Sequence, residues 1–139
     1  MTGLSILKEL CGCMSTSGDE EAVFAVLERE WKAAGLKVTR HGYYAVSARK
    51  PSRRKKPVLL ITAHADSPGY SVDIAGEKLH AIEIGSPHFE KTAEAVLNGQ
   101  TVVLTPDTEN DRGVYITPAI TAEAGDRLYV HMQERTAAG

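Results

Sequence analysis

Cysteine is almost missing from this sequence, with two among 139 residues. That is too few for a disulfide scaffold and points to a reducing compartment, the cytoplasm. No apolar run approaches the ~20 residues that span a bilayer, which excludes a transmembrane helix and a membrane partner. Lys8 and Glu9 interrupt the apolar stretch that starts at Leu4, and no small-residue cleavage site follows, so the N-terminus does not read as a secretory signal. A broad positive surface is lacking too. Lys and Arg number 16 against 18 Asp and Glu, and six of the 16 lie together as Arg49, Lys50, Arg53, Arg54, Lys55 and Lys56. The rest of the chain is acidic, which argues against a nucleic-acid-binding face. The basic stretch itself reads as a solvated connection between strands, with contact to an anionic partner as the alternative. What remains is the composition of one globular domain, 42% hydrophobic and 24% charged, long enough to bury a core.

The chain opens with helical spacing. Leu4, Leu7, Leu10 or Cys11, and Met14 recur on one face, with Lys8 and Glu9 opposite. Ser15 to Gly18 breaks this helix, and Ser17 with Glu20 reads as the capping box of a second one. Val23, Leu27, Trp31 and Ala34, widened by Phe24, predict its buried stripe, and Gly35 its end. The period then drops to two, predicting a hairpin from Leu36 to Ala48 about His41-Gly42. Val58 to Ala63 is continuously apolar, the pattern of a strand buried on both faces. Beyond Gly69, short alternating runs at Tyr70–Ile74, Leu79–Ile84, Thr101–Thr105, Val114–Thr117 and Leu128–Met132 stand between Gly, Pro, Asn and Asp clusters. Such text predicts a small barrel or sandwich.

His64-x-Asp66 ends the apolar run, and alternation along an extended chain points both side chains the same way. The carboxyl end of a buried strand is where open sheets place ligands. An imidazole there suits a divalent transition metal, and a nearby carboxylate can ligate or fix its tautomer. The bland alternative is a hydrogen-bonded pair at a strand end. One His and one Asp do not complete a catalytic metal site, which takes three or more protein ligands. The other candidates are plainer. Cys11-x-Cys13 lacks the two-residue gap of redox and zinc motifs and reads as small apolar residues. His88 reads as a surface-loop residue; His41, His80 and His131 read as parts of polar strand faces. Asp111 reads as a turn residue, and Glu20-Glu21 as a helix start.

Taken in order, the helix, Ser15-Thr16-Ser17-Gly18-Asp19-Glu20-Glu21, the long second helix, the hairpin and Leu59-Leu60-Ile61-Thr62-Ala63-His64-Ala65-Asp66 resemble the start of the glutamyl/deblocking aminopeptidases. These co-catalytic metallopeptidases include the tetrahedral aminopeptidases and cellulase M-like proteins. Their strand ends Ala-His-Met-Asp-Glu-Ile-Gly, of which Ala63, His64, Asp66 and Gly69 are kept here. Ile82-x-Ile84-Gly85, Leu97-x-Gly99-Gln100-x-Val102 and Ala124-Gly125-Asp126-Arg127 are similar to segments of the family's β-barrel insertion.

The resemblance implies an α/β fold: residues 1–69 as the N-terminal piece of the peptidase α/β layer, and 70–139 as a β-rich, barrel-like insertion. It implies His64 as a metal ligand and Asp66 as the carboxylate that orients it. Two divalent ions, zinc or cobalt, would activate a water for release of N-terminal residues from a peptide substrate, in a homo-oligomer. The bridging Asp, the Glu general base and the other ligands follow the barrel in that family. The expectation is therefore the N-terminal portion of such an enzyme, inactive alone. The rival is a free-standing oligomerisation or partner-binding module without catalysis. A mononuclear hydrolase completed by His88 or Asp73 is a third possibility.

Overall fold

A computed structural model of the chain describes residues 3–53, 59–87, 89 and 91–130. It divides into two compact units, Met1–Asp66 and Ser67–Gly139. Among the described residues no helix is long and apolar enough to cross a membrane.

The first unit holds α1 (Gly3–Cys11), α2 (Glu21–Ala33) and a two-stranded antiparallel sheet of β1 (Lys37–His41) and β2 (Ala45–Arg49). Among the described residues its buried apolar side chains are few: Val23, Phe24 and Val26, all on α2. Polar contacts carry much of the cohesion. Arg29 makes paired bonds of 2.8 and 2.7 Å to the Glu9 carboxylate, joining α2 to the end of α1. Arg40 of β1 stacks 4.4 Å over the Phe24 ring and pairs with Glu28 at 3.1 Å and with Glu21. That Arg ties the hairpin to α2 by cation–π and charge together, and its half-desolvated position makes it worth more than an exposed pair.

Several expectations fail in this unit. The α/β layer predicted for residues 1–69 does not form: the only sheet among the described residues of this unit is the β1–β2 hairpin, and it is antiparallel. Leu59 to Ala63 is not a strand, and Leu59, Leu60 and Ile61 are 78%, 84% and 82% exposed. An all-apolar run becomes a buried strand only if neighbours pair with both its edges and cover both its faces. Here β1 and β2 are saturated by each other on their shared edge, and neither pairs with this run. Val58 lies outside the described residues. The apolar stripe of α1 is likewise uncovered, with Leu4 and Leu7 more than half exposed and Cys11 exposed rather than packed. On α2 the buried set is shifted: Val26 is buried, Leu27 and Trp31 are half-buried, and Ala34 is exposed.

The second unit is a closed antiparallel barrel. Its strands are β3 (Gly69–Ile74), β4 (Leu79–Ile84), β5 (Ala93–Leu97), β6 (Gln100–Pro106), β7 (Gly113–Thr117) and β8 (Arg127–Val130), in the order β3-β4-β7-β6-β5-β8. Closure removes the free edges that would otherwise invite pairing with other chains. Strand alternation builds the core. Tyr70 and Val72, Leu79 and Ala81, Ala95 and Leu97, Val102 and Leu104, and Val114 and Ile116 point inward in pairs two residues apart, joined by Leu128. Each fully buried Leu contributes about 1.5–3 kcal/mol. The β5–β6 turn is Asn98-Gly99, both with positive φ (50° and 76°), the conformation a two-residue hairpin demands. Asn98 Nδ2 further donates to Asp126 Oδ2 at 2.8 Å, linking this turn to the approach to β8. β5 was not legible as a strand, since Ala93-Glu94-Ala95 has little strand preference; only the Asn-Gly after Leu97 marks it.

Candidate functional site

Asp66 is the centre of the polar cluster in the first unit. The Ser17 hydroxyl donates to its Oδ2, and the His64 ring approaches it from the other side. His64 Nδ1 lies 3.0 Å from the Asp66 backbone carbonyl and 3.3 Å from Asp66 Oδ1. A carbonyl oxygen can only accept, so in the neutral ring the proton lies on Nδ1 and the lone pair on Nε2. The His64 side chain is 84% exposed, and that nitrogen is open to a ligand. The Ser17 hydroxyl holds the Asp66 carboxyl below the usual carboxylate range, helped by the Asp66 backbone N–H and the nearby imidazole. A carboxylate that stays charged strengthens the basicity of the ring beside it.

Ser17 does not stand at the cap position of α2. The helix begins at Glu21 without a side-chain cap bond, and Glu20 Oε1 instead accepts from the Gly18 N–H at 2.8 Å. The Ser-x-x-Glu spacing is present, but α2 starts at Glu21, which leaves Ser17 ahead of the cap position, with its hydroxyl donated to Asp66. Sequence spacing could not reveal this, because the partners are 49 residues apart.

One open imidazole nitrogen is a ligand, not a site. No group of three or more His, Cys, Asp or Glu side chains placed to hold a metal ion exists among the described residues. His64 and Asp66 have the chemistry of a ligating imidazole and a carboxylate that orients it, and among the described residues no further group joins them to hold a metal. His41, also exposed, has Nε2 within 2.7 Å of Ser47 Oγ. Asp111 lies in an exposed turn, and Cys13, half-buried, donates its thiol to the Glu9 carbonyl at 3.3 Å. Burial pushes the Cys13 thiol up, away from reactivity. His88 and His131 fall outside the described residues.

The barrel carries a second cluster, which the polar-face reading of His80 misses. His80 is buried although it points away from the barrel core. Its Nε2 stands 3.2 Å from Asp107 Oδ2 and its Nδ1 3.8 Å from Asp73 Oδ2. These are ion-pair distances, and neither nitrogen has the geometry of a formed hydrogen bond. Asp73 is the extra residue of a bulge, since Val72 pairs with Ala81 and Ile74 with His80. Bulges re-aim side chains, and this one points a carboxylate at the ring. Asp107 is held below the usual carboxylate range by the Glu109 backbone N–H first and by His80 next. The two carboxylates meet opposite ring nitrogens, so they do not converge on a shared ion.

Comparison with family models and with curated proteins gives no match to this chain.

Proposed function

We propose that this chain is the N-terminal portion of a metal-dependent aminopeptidase, in which His64 is a metal ligand and Asp66 holds it in place. The observation that carries the reading is the directed imidazole. Nδ1 is spent on Asp66 and Nε2 faces solvent, the division of labour that metal-binding histidines use. Ser17 completes the relay by fixing the carboxylate. When bound, a pair of divalent ions such as zinc or cobalt supplies Lewis acidity and an activated water. This chain's share is to present one nitrogen and stop the ring from turning. The remaining ligands and the general base come from elsewhere in the complete enzyme, which releases N-terminal residues from peptides and assembles as a homo-oligomer in the cytoplasm. The exposed Leu59, Leu60 and Ile61 agree with a unit that is finished by further polypeptide.

The test is aminopeptidase assay of the polypeptide encoded by the uninterrupted reading frame. Release of N-terminal residues stops with chelator, returns with zinc or cobalt, is lost in His64→Ala and falls ~10–100-fold in Asp66→Ala. Chelator-resistant activity, or full activity in His64→Ala, overturns the assignment.

The same exposed run favours a second reading, a non-catalytic oligomerisation or partner-binding module. Sedimentation separates the two: metal-independent self-association abolished by Leu60→Asp supports the module. A monomer whose sedimentation Leu60→Asp leaves unchanged removes self-association from it.

A further inference from the structure

The residues around His80 form a device independent of His64. The ring sits on the outer side of β4 and is roofed by the segment from Asp107 to Gly113. That segment is closed on itself: Asp107 N–H donates to the Gly113 carbonyl at 3.0 Å, Gly113 N–H to the Asn110 carbonyl at 2.9 Å, and Glu109 N–H to Asp107 Oδ1 at 2.9 Å. It is fastened to β4 at one end, where Glu83 N–H donates to the Arg112 carbonyl at 2.9 Å and Arg112 Nε pairs with Glu83 Oε1 at 3.0 Å. At its other end the roof reaches β4 through Asp107 and His80. Gly113 is what lets the ring lie there, because a Cβ at that position would stand 2.5 Å from His80 Nε2. Tyr115 of β7 packs its ring edge-on against the imidazole, centroids 5.3 Å apart.

Among the described residues, the groups facing the imidazole are Asp73 from β3, Asp107 from the roof and the Tyr115 ring from β7. Asp107 also pushes the Tyr115 phenol up, with burial and Glu109 adding, so that side chain stays neutral and supplies no competing charge. The nearby Arg112 is engaged by Glu83. A neutral imidazole has one N–H and can serve only one of two carboxylates, whereas an imidazolium serves both.

We infer that His80 is a proton-operated latch: protonated, it bridges Asp73 and Asp107 and fastens the Asp107–Arg112 loop to the barrel; deprotonated, it loses its charge and one N–H, its hold on Asp107 weakens and the loop loosens. Protonation adds a charge-assisted contact at each ring nitrogen, and removal of the proton forfeits at least one. The loop's outer surface presents Glu109 and Asp111, both exposed, so the latch governs how an acidic loop is displayed.

The test is amide hydrogen exchange and imidazole ¹⁵N NMR on the chain from pH 5 to 8. Corrected for intrinsic exchange, protection of the Glu109, Arg112 and Gly113 amides falls ~10-fold or more as the His80 ring loses its second proton, with the same midpoint. Asp107→Asn keeps the acceptor for the Glu109 N–H but removes the charge. It abolishes the pH dependence of loop protection. Asp73→Asn, which leaves the roof's own bonds untouched, reduces that pH dependence. Loop protection that ignores the His80 titration overturns the latch, as does a ring that stays singly protonated throughout or a pH dependence that survives Asp107→Asn.

Discussion

Replacing Gly113 with alanine tests the packing around His80 directly. The added methyl would lie 2.5 Å from His80 Nε2, 2.9 Å from Cε1 and 3.2 Å from Asn110 Nδ2. The ring cannot swing clear without leaving Asp107 at 3.2 Å or losing the edge contact with Tyr115. Overpacking of this kind costs about 1–3 kcal/mol, and losing a hydrogen bond or contact to a charged group about 1.5–3 kcal/mol. Against these stands the unfolded-state gain of replacing Gly, about 0.4–1 kcal/mol. Barrel stability should therefore fall by roughly 2–4 kcal/mol. Denaturant unfolding followed by far-ultraviolet dichroism measures it; Trp31 fluorescence does not, because that residue belongs to the first unit. In a His80→Ala background the clash is gone, and Gly113→Ala becomes neutral or stabilising by up to about 1 kcal/mol. An equal cost in both backgrounds would refute the reasoning, and so would a neutral effect in the wild type.

Other perturbations follow from the same geometry. Leu97→Ala, at a fully buried core position, costs about 2–5 kcal/mol of barrel stability by the same unfolding assay. Burial pushes the Tyr70 phenol up to about 12, from an unfolded value near 10. The folded pKa is the higher one, so this contribution is whole below pH 10 and is lost as pH rises through 12. About 2–3 kcal/mol disappears across that window, and Tyr70→Phe flattens it. Asp66 is shifted the opposite way, chiefly by Ser17, so its contribution exists above the ordinary carboxylate pKa and is lost as pH falls through the lowered value. Ser17→Ala moves the Asp66 titration, followed by carboxyl ¹³C shifts, back up toward that ordinary range.

The barrel was largely legible because its physics is local. Period-two alternation from Tyr70 to Ile74, Leu79 to Ile84 and Val114 to Thr117 puts one side of each strand inward, and Asn98-Gly99 permits one tight turn. What sequence could not supply were the neighbours. Leu59-Leu60-Ile61 carries the pattern of a buried strand, but a pattern does not create the two flanking strands and two covering layers that burial needs. His80 looks like one more outward polar residue until a loop 27 positions away in sequence, beginning at Asp107, folds over it. Ser17 and Glu20 have the spacing of a cap, but the helix begins only at Glu21, and the Ser17 hydroxyl donates to a distant carboxylate. The His64–Asp66 pairing was accessible from the i, i+2 spacing, although the carbonyl at Asp66, which fixes the tautomer, was not.

The account rests on His64 presenting an unprotonated Nε2 as a metal ligand. Titrating the ¹⁵N-labelled chain with cobalt(II) near neutral pH reads this by paramagnetic broadening of each imidazole. The His64 ring signals should broaden first, ahead of His41, which is also exposed but has its Nε2 engaged by Ser47, and the preference should weaken in Asp66→Ala, which removes the carboxylate and keeps the carbonyl. Broadening of His41 and His64 alike, or a His64 ring whose proton sits on Nε2, would contradict it.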